Sequence, residues 1–162
     1  IRFVGETQAR VNESFVTTLC CNGQYQPQGF PIPVTPNTYV MFKIDSMWIN
    51  QVTPAPPGTT TQWQGLWLYF DKGLILEFTQ EGQAMPYRPN LAGYTFPFGV
   101  AIVGNIYELF QLWGIAVPDG PFYLQGIDFG QQLWDLGLMS SEAEYHQHME
   151  VDFIQIIEGK EQ

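Results

Sequence analysis

TQWQGLWLYFDKGLILEFT, residues 61–79, holds two apolar runs, 66–70 and 74–78, joined by Asp71-Lys72-Gly73. Asp favours the start of a tight turn, and Gly can take the positive φ that closes a three-residue hairpin loop. Trp63, Leu66, Trp67, Leu68, Tyr69 and Phe70 are bulky or aromatic residues that fill a pleated, half-buried surface. Leu74, Leu76 and Phe78 alternate with Ile75, Glu77 and Thr79, so the second run has one face greasier than the other. The stretch predicts a β-hairpin. Two strands alone are marginal in water, so the hairpin requires a larger sheet around it.

The chain has 162 residues, enough for one β-sandwich domain over 1–162 with a real core. Charged residues are 14% and aromatics 15%. The charged share is well below the usual quarter, so much of the surface must be neutral or apolar. Such a surface suits a protein that buries it against copies of itself or another partner, and equally a plain aromatic-rich β-domain.

The net charge of −10 sets sixteen acids against Lys43, Lys72, Lys160, Arg2, Arg10 and Arg88. Phosphate backbones and anionic bilayers are bound by clustered cations, and this chain has no cluster. Direct nucleic-acid binding is not expected. The cysteines, Cys20 and Cys21, are adjacent, and neighbours in a strand point to opposite faces, so they form no disulfide framework. The chain opens at Ile1 without an initiator Met, as a processed or trimmed chain would, and no charged-then-apolar signal segment heads it.

Residues 2–10 and 13–20 read as two strands. Residues 22–37, NGQYQPQGFPIPVTPN, form an ordered extended loop stiffened by Pro27, Pro31, Pro33 and Pro36. Residues 38–52 predict a long strand with Val40, Phe42, Ile44 and Trp48 on one face and Met41, Lys43, Asp45 and Met47 on the other. Pro54 to Gly58 break it. Glu81-Gly82-Gln83 makes a turn, and residues 84–88 an edge piece, since Pro86 bars them from a central ladder.

Residues 96–118, FPFGVAIVGNIYELFQLWGIAVP, are the greasiest stretch. Pro97, Asn105, Glu108 and the glycines argue against a transmembrane segment and for strand, helix and strand. Residues 99–103 read as a buried strand. Asn105 with Glu108 has capping-box spacing for a helix that buries Ile106, Leu109, Phe110 and Trp113 and stops at Gly114. Residues 115–117 resume a strand and 121–128 form another. Residues 129–136 read as a short helix, Ser141 and Glu144 as a second capping box, and 148–157 as the last strand, with Met149, Val151 and Phe153 opposing His148, Glu150 and Asp152. The total, roughly eight to ten strands with two or three short helices in connections, predicts an all-β, two-sheet β-sandwich or single jelly roll.

His146, His148, Glu150 and Asp152 fall at period two, which in a strand puts them on one face as metal ligands require. The His-x-His opening resembles the cupin metal motif, itself carried on a jelly roll. It departs from that motif because the cupin Glu lies further on and a third His is needed. A solvent-facing polar edge is the competing reading. Nothing places two acids about 5 Å apart across a cleft, as a retaining glycosidase needs. No nucleophile elbow or phosphate loop is present, and no sequence motif names a cofactor or a reaction. Among the five tryptophans, Trp63, between Gln62 and Gln64, is the candidate for an exposed sugar-stacking platform.

In length, strand count and composition the chain resembles the small single-jelly-roll coat proteins of tailless, membrane-containing icosahedral bacteriophages of the Thermus phage type. TYVMFKIDSMWI, GLWLYFDKGLILEF and HMEVDFIQII carry the resemblance. It implies a non-enzymatic capsid protein of the virion. Its partners would be copies of itself and a second coat protein, with residues 22–37 and 53–60 at the contacts. The absence of a basic arm would fit a shell separated from its genome by an internal membrane. The alternatives are a carbohydrate- or receptor-binding module, which would be extracellular, and a cupin-like metal protein using His146, His148 and Glu150.

Overall fold

In the computed structural model, which describes residues 3–10, 14–18, 31–51, 60–80, 89–135 and 144–159, the two runs of residues 61–79 pair as expected. Strands β5 (Thr60–Phe70) and β6 (Ile75–Gln80) run antiparallel about the turn Asp71–Gly73. Lys72 (φ 59) and Gly73 (φ 73) both take left-handed backbone, and the Phe70 amide donates to the Leu74 carbonyl at 2.9 Å.

Three further antiparallel pairs nest outside this hairpin. The first is β4 (Thr38–Gln51) with β8 (Ile102–Asn105), the next β2 (Ser14–Thr18) with β9 (Phe122–Asp135), and the outermost β1 (Phe3–Arg10) with β10 (Glu144–Glu158). The pairs are dealt alternately to two sheets. One has the order β1-β10-β4-β8, the other β2-β9-β5-β6. A long hairpin wound in this way is a jelly roll.

Two strands were not foreseen. β3 (Ile32–Val34) lies within the proline-rich loop and pairs with β9 as an edge piece, where Pro33 costs no central ladder bond. β7 (Leu91–Phe96) runs parallel to β6, Ile75 opposite Leu91, and completes a six-stranded sheet.

The core lies between the sheets. Phe42 of the four-stranded sheet meets Phe78 and Phe96 of the other at ring-centroid distances of 4.8 and 5.3 Å. Phe70 meets Phe110 at 5.4 Å and Phe122 at 5.7 Å. Such pairs add about 0.5–1.5 kcal/mol each beyond the area they bury. Helix α1 (Ile106–Leu112) seals one end with Ile106 and Phe110. Asn105 Oδ1 accepts from the Glu108 amide at 3.1 Å, and Gly114 ends the helix at φ 77, as the spacing predicted.

Several expectations are corrected. Of the helix expected over 129–136, residues 129–135 belong instead to β9, whose pairing with β2 and β5 overrides a helix-like spacing of apolar residues. Glu144 opens β10 rather than a helix. Residues 99–103 are not a buried strand; Val100 and Val103 are exposed and the strand begins at Ile102. Residues 115–117 form no strand. Trp113, assigned to the buried helix face, is 45% exposed. The expected turn at 81–83, the edge piece at 84–88, Cys20 and Cys21 lie outside the described residues, as do residues 22–30 and 53–59 of the two loops.

Gly65 and Gly73 are needed for different reasons. A Cβ on Gly65 would meet the Phe78 carbonyl oxygen at 2.0 Å, whereas one on Gly73 meets nothing but sits at positive φ. Gly65→Ala is therefore expected to lower stability by about 3 kcal/mol and Gly73→Ala by about 1 kcal/mol. Urea midpoints of the two variants measure the difference, and equal losses would contradict the close approach of β5 and β6.

Candidate functional site: the outer face of the four-stranded sheet

Between Glu150 and Phe153 the ladder joining β10 to β4 slips twice. Glu150 is opposite Ser46, Val151 opposite Ile44 and Phe153 opposite Lys43. Asp45 is thus an extra residue on β4, and Asp152 an extra residue on β10. These are two β-bulges that cancel, so the register after them matches the register before.

Each bulge also flips the inward row of its strand. On β4 the buried positions run Val40, Phe42, Ile44 and then Met47; on β10 Val151 is followed by Ile154. Met47 therefore belongs to the core and Phe153 to the outer side, against the strict alternation read from the sequence. The Trp48 side chain lies outside the described ones.

The bulges aim both extra carboxylates at one cation. Lys43 Nζ lies 3.3 Å from Asp45 Oδ1 and 3.4 Å from Asp152 Oδ2. The Asp45 carboxylate, with Asp152 beside it, holds the Lys43 ammonium above its ordinary 10.5. Asp152 thus leaves the proposed His146, His148, Glu150 row and pairs with lysine. Those three remain at alternate positions of β10, opposite Asn50, Trp48 and Ser46. His148 and Glu150 are half-buried, and the His146 side chain lies outside the described ones. Among the described residues no three His, Cys, Asp or Glu side chains come together as metal ligands.

Beyond the bulges the same face turns apolar. Phe153, Gln155 and Ile157 of β10 stand opposite Lys43, Met41 and Tyr39 of β4, and Met41 opposite Val103 of β8. Val103 is 59% exposed, and Tyr39, Met41 and Phe153 are half-buried. Ile102 and Ile156, one residue away, pack into the core, so the alternation is clean here. The carboxylates that border this row are occupied: Asp45 and Asp152 by Lys43, and Glu158 by two hydroxyls. Glu158 Oε2 accepts from the Thr38 hydroxyl at 2.7 Å and its Oε1 from the Thr35 hydroxyl.

The six-stranded sheet differs. Both rows of β6 are buried: Leu76 and Phe78 towards the core, Glu77 and Thr79 on the opposite face. A carboxylate taken out of water needs donors. Trp67 Nε1 supplies one to Glu77 Oε1 at 2.7 Å. Glu77 therefore serves packing and presents no accessible acid for glycoside chemistry.

Trp63 lies on β5 opposite Gln132, and its side chain is outside the described ones. Among the described side chains, the tryptophan that reaches solvent is Trp113, its ring 5.9 Å from that of Tyr94. The Tyr94 hydroxyl donates to the Leu109 carbonyl, and burial pushes its phenol up from 10.0. Sequence reasoning missed this residue because helical spacing alone assigned it to the core. Among the described residues no helix is long and apolar enough to cross a membrane.

The fold defines an all-β protein, a two-sheet sandwich wound as a jelly roll. No family model, curated protein or solved structure matches the chain.

Two outcomes test these contacts. Trp67→Phe, which removes the indole donor from a buried carboxylate, should cost about 2 kcal/mol. Glu77→Gln, which keeps an oxygen for the indole, should cost less; chemical denaturation ranks the two, and the reverse order would show that the bond is not what holds Glu77. For Lys43 the raised pKa favours the folded state only while the lysine is protonated. That contribution is full below 10.5 and fades as pH rises through the raised value. Lys43→Met should therefore lower Tm at neutral pH in dilute buffer, with the gap closing in high salt and above pH 10.5. A gap indifferent to both would mean that Lys43 acts through its stem.

Proposed function

We propose that the protein is a non-enzymatic building block of a viral shell, a coat protein that assembles through contacts between β-sandwich subunits. The observation that carries the reading is the apolar half-face formed by Tyr39, Met41, Val103, Phe153 and Ile157 on a chain of net charge −10. A monomer that stays in solution has no use for such a strip, whereas a subunit buries it. The jelly-roll winding supports the same reading, since shells are among the structures built from it. Copies of the chain, with a second coat protein, are the partners. The acidity argues against direct packing on nucleic acid and is compatible with a shell lying over a membrane.

Trp113, exposed beside Tyr94, favours a second reading as a carbohydrate-binding module. A Trp113→Ala variant that loses a sugar-induced fluorescence change would support it.

Light scattering over a concentration series, with electron microscopy of the same samples, tests the first reading. Mass is expected to rise beyond the monomer, with regular multi-subunit arrays in the images. A chain that forms no arrays at any concentration, alone or in sulfate, would sink assembly from copies of this chain alone and leave only a shell built together with the second coat protein.

A further inference from the structure

The strand β8 closes one side of the four-stranded sheet, and among the described residues β4 is its ladder partner. An edge strand points one row of amides and carbonyls away from its sheet, and soluble proteins guard such rows with lysine, proline or other charge. β8 carries no lysine, other charge or proline, and of the usual guards it has shortness, at four residues. From Pro89 to Tyr107 the sequence carries no charged residue. Residues 99–101 lead into the strand along β4, tied there by the Gly99 amide donating to the Ile44 carbonyl at 2.9 Å. Val100 and Val103 face solvent, and Val103 continues the apolar row through Met41 and the neutral Gln155.

Resting on the coat-protein reading, we infer that two copies of this chain join through their β8 edges, antiparallel about a two-fold axis. The two four-stranded sheets then form one continuous sheet, and Val100 and Val103 pack across the axis. The occupant follows from charge. A basic partner would be recognised through carboxylates, and the β8 edge, uncharged from Pro89 to Tyr107, has none to offer. Two chains of net charge −10 repel each other wherever their acids meet. The uncharged strip is complementary to another uncharged apolar strip, and it is itself one. A two-fold contact uses the same patch twice, so no second surface is required. The antiparallel ladder supplies the direction that apolar contact lacks.

Sedimentation velocity of the full chain, compared with Val103→Lys and Tyr123→Lys, tests the contact. Tyr123 is exposed on the other sheet and serves as the control. Each substitution moves the net charge one unit closer to zero, which by itself favours association. Weakening by Val103→Lys can therefore come only from the change made in the contact, not from net charge. The expected result is a dimer whose dissociation constant rises at least tenfold in Val103→Lys and is unchanged in Tyr123→Lys. Hydrogen exchange should show the β8 amides slowed in the dimer and fast in Val103→Lys, with an unchanged circular dichroism spectrum and unchanged protection of the core strands showing that the variant is folded. A wild-type chain that remains monomeric, a dimer indifferent to Val103→Lys, or equal weakening by both variants would each overturn the inference. Arrays that survive Val103→Lys would leave the coat reading standing without this contact. Dimers that never build arrays would leave the contact standing without the coat reading.

Discussion

The reversal at Asp71-Lys72-Gly73 is the constraint from which the other pairings follow. Once β5 and β6 run back along each other, strands on either side nest around them as β4 with β8, then β2 with β9, then β1 with β10. Lys72 and Gly73 carry the local conformational demand of this reversal, both in left-handed backbone. Gly65 lets β5 come close enough to β6 for the hairpin to close. The aromatic contacts of Phe42 with Phe78 and Phe96 then hold the two sheets together.

The paired bulges at Asp45 and Asp152 divide the outer face of the four-stranded sheet into two kinds of surface. On one side lie His148 and Glu150, with the Lys43 cluster at the boundary itself. On the other lie Tyr39, Met41, Val103, Phe153 and Ile157. Because the two insertions cancel, the sheet keeps its hydrogen bonding while its side chains change face. Unbroken alternation would have turned Phe153 inward and left Met47 outside.

The hairpin, its turn, the Asn105 cap and the all-β architecture were legible in the sequence because each is set by residues close together in the chain. Hydrophobic alternation finds a strand but does not say whether it lies at an edge, so residues 99–103 read as buried. The spacing in residues 129–136 was helix-like, and only distant strands made it β. The bulges were hidden for a related reason, since an extra residue shows only against a partner strand. The candidate site was legible only in part. His148 and Glu150 do share a face, but Asp152 is drawn to Lys43, and the apolar half-face depends on strand order. Glu77 looked like an ordinary outward residue of β6; nothing local reveals that both faces of that strand are covered.

The nesting also sets an order of events during folding. Closing the hairpin brings β4 and β8 near each other, and each pair formed shortens the effective loop for the next. The winding therefore proceeds from the inside out, and its last step joins Phe3 to Val151 across nearly the whole chain. Contacts of such long sequence separation make folding slow. During synthesis β1 is made before the other described strands and, in this order, is paired last. Until β10 has left the ribosome, β1 has no ladder partner and is exposed to mispairing with a neighbouring nascent chain.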